Sequence, residues 1–438
     1  MKLVPPGKIP VRRVRSPFPD IFKGLALRLG RRGDSVGGRM IQLTPAGVFA
    51  SLFLFVLALG QAAGAEANRN VNLRGGLQNA RIQFEQKKTG RVAFIGGSIT
   101  QMNGYRPMVS DWLRSRFPGT QFEFINAGIS STDSQTGAFR LGDHVLAMGR
   151  MDLLFVEFAV NDDQDARHSR RGCILGMEGI IRQVRLKQPS CDLVVTHFVN
   201  PTMLKQIQSG KMPPSIEAHE DVLKHYNVSS VYLAREVADR IAASKLTWAQ
   251  YGGTHPKRAG NAVASELIGK LLGRRWAKPL PANVGKSAVL LPAKPLDSGS
   301  FFNGHFLSPG LAKRGNWDWH VPEWKKIPGS FRGTFAGLKL LCGGRASGGV
   351  SFEFEGRAVG AYVLAGPDAG VLEVSIDGGE FKPANLYHHY SRGLHYPRTV
   401  MFATDLEPGK HSVKLRLARP PGDGARGTAA RILQFAVN

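Results

Sequence analysis

From Arg91 onward, short apolar runs rich in β-branched residues alternate with stretches of helical spacing, the signature of a mostly parallel sheet covered by helices on both faces. The strand-like runs are Val92–Ile95, Phe122–Asn126, Asp152–Val160, Asp192–Val199 and Val228–Leu233. Helical spacing falls between and after them, over Pro107–Phe117, Cys173–Lys187, Ser215–Tyr226, Arg235–Leu246 and Ala259–Leu272. The alternation predicts a three-layer, flavodoxin-like α/β domain over residues 85–275, whose ligand crevice lies at the carboxyl ends of the strands.

The pattern then changes. Pro279, Pro281, Pro292 and Pro295 mark a weakly periodic segment, 276–295, expected as a linker. Beyond it, Val350–Phe354, Ala358–Ala365, Val371–Ile376, Thr399–Ala403 and His411–Leu417 have strand length, and Asp377-Gly378 is a hairpin-turn signal. Residues 296–438 are therefore expected to form an all-β sandwich or jelly roll. A chain of 438 residues suits two such domains with a leader.

Residues 1–65 read as that leader. Ten basic residues, from Lys2 to Arg39, precede the apolar run Pro45–Gly60, which is short for a membrane span and fits a signal-peptide core. Ala63-Gly64-Ala65 fits a small-residue cleavage site, so the mature chain would begin near Glu66 in the periplasm or outside the cell; an uncleaved N-terminal anchor is the alternative. After cleavage no stable membrane span is expected. The formal charge of +25 raises nucleic acid as a partner. Much of it sits in the leader, and no nucleic-acid-binding motif accompanies the rest, so no nucleic acid partner is expected. Cys173, Cys191 and Cys342 are too few and too widely spaced for a disulfide framework or a CxxC metal site, and read as buried thiols.

Chemistry gathers at the strand ends. Ser98 follows the first strand in Gly96-Gly97-Ser98-Ile99-Thr100, where glycines let the backbone turn at the sheet edge; a helix cap would look the same. Asn126-Ala127-Gly128 ends the second strand and Val160-Asn161-Asp162 the third. Backbone N–H groups at Ser98 and Gly128 and the Asn161 amide would supply three donors for a developing oxyanion, whereas read singly Gly128 is a turn and Asn161 a loop cap. His255, in Thr254-His255-Pro256 before the last helix, has the side chain suited to take a serine's proton at neutral pH. Asn161–Asp165 looks like the start of a calcium loop but lacks the Gly and Glu such a loop needs, so no metal and no cofactor is expected.

Taken in order over roughly residues 91–261, these four blocks resemble the SGNH (GDSL-type) esterase family. The resemblance implies the SGNH hydrolase fold. It also implies that Ser98 attacks an ester carbonyl, that His255 takes and returns the proton, and that Ser98, Gly128 and Asn161 form the oxyanion hole. The family usually carries an Asp three residues before the His, and this chain has Gly252 there. The third member of the triad is thus unassigned, with Asp162, Asp163 and Glu220 as candidates on position alone, or with a Ser–His dyad instead. Aromatics in Asn316–Trp319 and Leu386–Tyr396 either stack on sugar rings or pack in a core. The expectation is an exported serine esterase acting on an acylated small molecule or an acetylated glycan. The alternative is a weak or inactive SGNH-like protein that binds glycan or cell-envelope polymer through its β-rich module.

Overall fold

The computed structural model describes residues 70–281, 283–344, 346–418 and 427–438. The expected leader and signal peptide, residues 1–65, lie outside the described residues.

The first sheet contains β1 (Val71–Asn72), β2 (Thr89–Gly96), β3 (Gln121–Gly128), β4 (Leu153–Glu157), β5 (Asp192–Thr196) and β6 (Ser229–Val231), in the order β1-β6-β5-β4-β2-β3. All neighbours are parallel except β1, which pairs antiparallel with β6. Val92 and Phe94 of β2 enter one hydrophobic core and Ala93 and Ile95 the other. Because both faces are buried, the strand reads as a continuous apolar run rather than an alternating one. Phe94 stacks on Phe155 of the neighbouring β4 with ring centroids 4.8 Å apart. From β2 the chain moves outward to β3, then crosses back to β4 on the other side. That reversal opens a crevice at the carboxyl ends of β2 and β4, where doubly wound sheets bind ligands.

Two elements precede residue 85: β1 and the helix Gln78–Glu85, whose Ala80 N–H donates to Asp192 at 2.7 Å. The helices Ser134–His144 and Pro201–Gln208 are additional to those expected from the sequence; Asp133 caps the first and Asn200 the second through side-chain hydrogen bonds. The run expected as one strand, Asp152–Val160, is a strand only to Glu157. Asp162 N–H donates to the Phe158 carbonyl and Ala166 N–H to that of Asn161, so the chain leaves the sheet in a helical turn with π character at Asn161–Asp165. Phe158 and Val160 are buried in that turn as they would be in a strand, and a short apolar run does not distinguish the two.

Residues 276–295 run along the α/β domain. Trp276 Nε1 donates to the Leu77 carbonyl at 2.7 Å, Lys286 pairs with Asp152 at 2.7 Å, and Val289 N–H donates to the Pro189 carbonyl. The C-terminal part has two antiparallel sheets. One holds β10 (Val350–Gly356), β12 (Val371–Ile376), β13 (Lys382–Asn385) and β15 (Gly409–Leu417) in the order β10-β15-β12-β13. The other contains β8 (Asp318–His320), β9 (Leu340–Gly343), β11 (Val359–Ala365), β14 (Tyr396–Ala403) and β16 (Ala430–Val437), in the order β14-β11-β16-β9-β8, with β7 (His305–Leu307) also paired to β16. Their inner faces share one core, in which Phe352 of β10 stacks on Phe435 of β16 at 3.9 Å. The architecture is thus an α/β domain with a parallel sheet followed by a β-rich region of antiparallel sheets.

The two parts meet across a continuous surface. Phe301, Phe306, Ala358 and Ala436 pack into the α/β core, Thr136 Oγ1 bonds Thr399 Oγ1 at 2.8 Å, and Arg171 bridges Asp297 and Asp405. Cys173, Cys191 and Cys342 are free thiols, the first two buried. Among the described residues no helix is long and apolar enough to cross a membrane.

Candidate active site

Ser98 is the first residue of the helical turn Ser98–Gln101 that follows β2. In that position its own N–H has no partner within the turn. Its Oγ lies 2.8 Å from His255 Nε2. His255 is held from the other side of the crevice. Thr247 and Gln250 cap the turn Trp248–Tyr251, Lys257 N–H donates to the Tyr251 carbonyl, and Asn261 Nδ2 donates to the Pro256 carbonyl at 2.7 Å. The backbone around the imidazole is therefore fixed while its ring stays exposed.

Gly252, the position where an Asp would be expected, has φ +111°, and a Cβ there would lie 2.3 Å from the Lys257 nitrogen. An aspartate at 252 would need this backbone to shift. The three substitute carboxylates have other partners. Asp162, fully buried, accepts from Ser134 N–H, Ser134 Oγ and His219 Nε2 at 2.7–2.8 Å. Asp163 accepts from Asn200 Nδ2. Glu220 binds His197 and Arg74. Burial alone would raise the Glu220 carboxyl, but the hydrogen bond from His197, with the Arg74 guanidinium alongside, brings it down to about 2. Among the described residues, no carboxylate is hydrogen-bonded to His255.

The three expected oxyanion donors differ in their surroundings. Asn161, 2% exposed, opens the turn after β4, and its Oδ1 would lie 2.1 Å from a Cβ built on Gly97, so the amide rests against the nucleophile's own loop. Gly128 ends β3 against Thr100 and Gln101, so closely that a Cβ would sit 2.3 Å from the Gln101 nitrogen. Its N–H donates to Asn126 Oδ1 at 3.0 Å. Among the described residues, the Ser98 N–H and the second N–H of the Asn161 amide have no protein partner, whereas that of Gly128 is taken by Asn126 Oδ1.

Several residues that support this site have no sequence signature. Arg140, 0% exposed, donates to the Gly96 and Ala127 carbonyls at 2.8 and 2.6 Å and so ties the ends of β2 and β3 together. Burial lowers its guanidinium to about 10, which leaves it charged at neutral pH. Asp165 accepts from Asn161 Nδ2 and Gln164 Nε2. Burial raises its carboxyl while these bonds pull it back. Asp162, Cys173 and His219 are close enough to one another to hold a metal ion, but the oxygens of Asp162 are already taken by Ser134 and His219.

Glu157, 0% exposed, lies beneath the nucleophile loop and accepts from Thr100 Oγ1 at 3.1 Å. Burial pushes its carboxyl up to about 8, against hydrogen bonds from Thr100 and Gly97 that favour the anion. An unfolded glutamate loses its proton near about 4.3, so the folded protein retains a proton that the unfolded chain has released. The resulting stability is whole below that value and lost as pH rises through about 8. Glu157→Gln, neutral at every pH, should therefore flatten the decline of the urea midpoint between pH 5 and 9. A variant that keeps the wild-type slope would show that Glu157 ionises freely in the folded state.

Residues 94–263 match the model of the GDSL-like lipase/acylhydrolase family. No curated protein matches the chain. Among solved structures it is similar to a two-domain esterase (CEX) active on acetylated mannans. Co-crystallised with mannopentaose, that esterase gives a TM-score of 0.67 at 20% identity, with 85% of this chain and 97% of that chain covered. A second structure of it gives 0.68 at 19% identity, covering 85% and 98%. The fold likeness thus runs through both the α/β and the β-rich parts, and the α/β part is a GDSL/SGNH hydrolase-type domain.

Proposed function

We propose that the protein is an exported serine esterase that removes acetyl groups from a carbohydrate through a Ser98–His255 dyad. The observation that carries this reading is the 2.8 Å contact between Ser98 Oγ and His255 Nε2 at the reversal point of the sheet. In this mechanism His255 Nε2 takes the Ser98 proton as Oγ attacks the ester carbonyl. The negative oxygen of the tetrahedral intermediate is met by the Ser98 N–H and the Asn161 amide, and by the Gly128 N–H once Asn126 yields it. The intermediate then expels the sugar oxygen, which leaves with the proton from His255. Water, deprotonated by the same imidazole, cleaves the acyl-enzyme and frees acetate and Ser98.

A glycan substrate is supported by the surface beside this dyad. His388, His389 and Tyr390 of the β-rich region adjoin the turn after β4, where Tyr390 Oη contacts Gln164 and Gln164 Oε1 accepts from Thr254 beside His255. Tyr390, 39% exposed, packs on His389 with ring centroids 4.0 Å apart, and the pair makes an exposed aromatic cluster of the kind that stacks on sugar faces. Trp317, by contrast, is buried in the sandwich core with its Nε1 on the Gly348 carbonyl, which assigns that aromatic to packing. The solved esterase of like fold is described as active on acetylated mannans, which makes acetylated mannan the first polymer to try. Export rests on the basic stretch, the apolar run and Ala63-Gly64-Ala65.

The second reading, a glycan-binding protein with a silent catalytic domain, has one observation in its favour: no described carboxylate orients His255. Acetate release from acetylated mannan and from a short-chain aryl acetate separates the two. The esterase reading expects release from both, and the binding reading expects retention on the polymer with no acetate from either. N-terminal sequencing of the exported chain should start near Glu66; a full-length chain in the membrane fraction would overturn cleavage.

A further inference from the structure

We infer that Asp165 is a positioning residue for the oxyanion hole, acting through Asn161 by deciding which end of that side chain is the donor. The inference rests on the esterase reading above. An amide oxygen and nitrogen are nearly alike in shape, and only the hydrogen-bond partners decide which way the group faces. Asn161 Nδ2 donates to Asp165 Oδ2 at 2.6 Å, while Asn161 Oδ1 is buried with no partner. Turning the amide over would press its oxygen against a carboxylate oxygen at that same separation, exchanging a charge-assisted hydrogen bond for a repulsion. The carboxylate therefore holds the nitrogen in place: one N–H is on Asp165, and because Nδ2 lies 2.9 Å from a Cβ built on Gly97, the second N–H is the one that would serve a substrate oxygen beside that loop.

Asp165 is itself held. It is 8% exposed, and its second carboxylate oxygen takes Gln164 Nε2 at 3.1 Å. Its backbone carbonyl accepts from His388 Nε2 at 2.8 Å, a bond that comes from the β-rich region. The turn Asn161–Asp165 is thus pinned from both parts of the chain, and its wide helical geometry brings residues 161 and 165 onto one face.

The test is a double-mutant cycle with kcat and KM on an aryl acetate, using Asn161→Ala, Asp165→Asn and the double variant. Asparagine at 165 keeps the shape but both donates and accepts, so it no longer discriminates between the two amide orientations. Asp165→Asn should lower kcat by about 10-fold or more with KM within about twofold, and Asn161→Ala by about 100-fold. In the Asn161→Ala background Asp165→Asn should cost nothing further. An equal loss of kcat in that background, or a rise in KM alone, would overturn the inference. So would a wild-type kcat in Asn161→Ala, which leaves the esterase reading standing if Ser98→Ala is inactive. Activity in Ser98→Ala would remove the reading itself. Far-ultraviolet circular dichroism and the urea midpoint of each variant separate lost positioning from lost folding.

Discussion

Ser98→Ala and His255→Ala should each lower kcat on an aryl acetate by a factor on the order of 10⁴ or more, with the urea midpoint unchanged. On the proposed mechanism the first removes the atom that would form the acyl-enzyme and the second the group that would take its proton, so the double variant should be no worse than either alone. The dyad geometry sharpens the expectation. Among the described residues only Ser98 is hydrogen-bonded to the His255 ring, and the residue is exposed, so little stability depends on the side chain. Covalent capture of Ser98 by a fluorophosphonate should follow the same pattern, lost in Ser98→Ala and strongly slowed in His255→Ala. Retained turnover in Ser98→Ala would assign the chemistry to another residue. Retained turnover in His255→Ala would mean that water or a second base accepts the proton.

The meeting of Ser98 with His255 was legible because each sits in a block whose local chemistry and order along the chain agree. Sheet, nucleophile loop and histidine loop all follow from patterns within a few residues. What supports them does not. Arg140 lies in a helix, Ser134–His144, whose core-facing side is built from Ala138, Phe139 and Leu141 together with polar residues buried against the β-rich region. Its buried residues include Ser134, Gln135, Thr136 and Arg140, so hydrophobicity alone does not announce that this side of the helix is covered. Glu157 and Asp165 read as an ordinary strand end and loop, because burial and partners decide their behaviour and neither is written locally. The strand β16 shows the same limit: Ala430–Val437 lies between β11 and β9 inside its sheet, and its near-continuous burial erases the alternation that marks a half-exposed strand. The candidates for a third triad member rested on position alone, and the structure gives each a partner of its own.

Arg140→Ala should cost about 3–5 kcal/mol of stability and, unlike the dyad variants, lower activity by loosening the strand ends. Two opposing effects have to be weighed. Burying a guanidinium is unfavourable, as its lowered pKa of about 10 records, so removing the charge recovers part of the loss. Against that, truncation opens a cavity and removes the donors to the Ala127 and Gly96 carbonyls and to Thr132 Oγ1. A buried acceptor left unpaired costs about 1–3 kcal/mol. Gly96 keeps a partner in Ile129 N–H at 3.0 Å, so the Ala127 side should account for more of the loss. Arg140→Met separates the terms, since it fills most of the volume without a donor and should lose only about 1–3 kcal/mol. Arg140→Lys should not rescue, because one ammonium at the end of a flexible stem does not span carbonyls on two strands as a planar guanidinium does. Urea unfolding of the three variants beside wild type reads these differences directly. Methionine as stable as arginine would mean that the β2 and β3 carbonyls find other partners, and Arg140 would then serve packing rather than the alignment of Ser98 with Gly128.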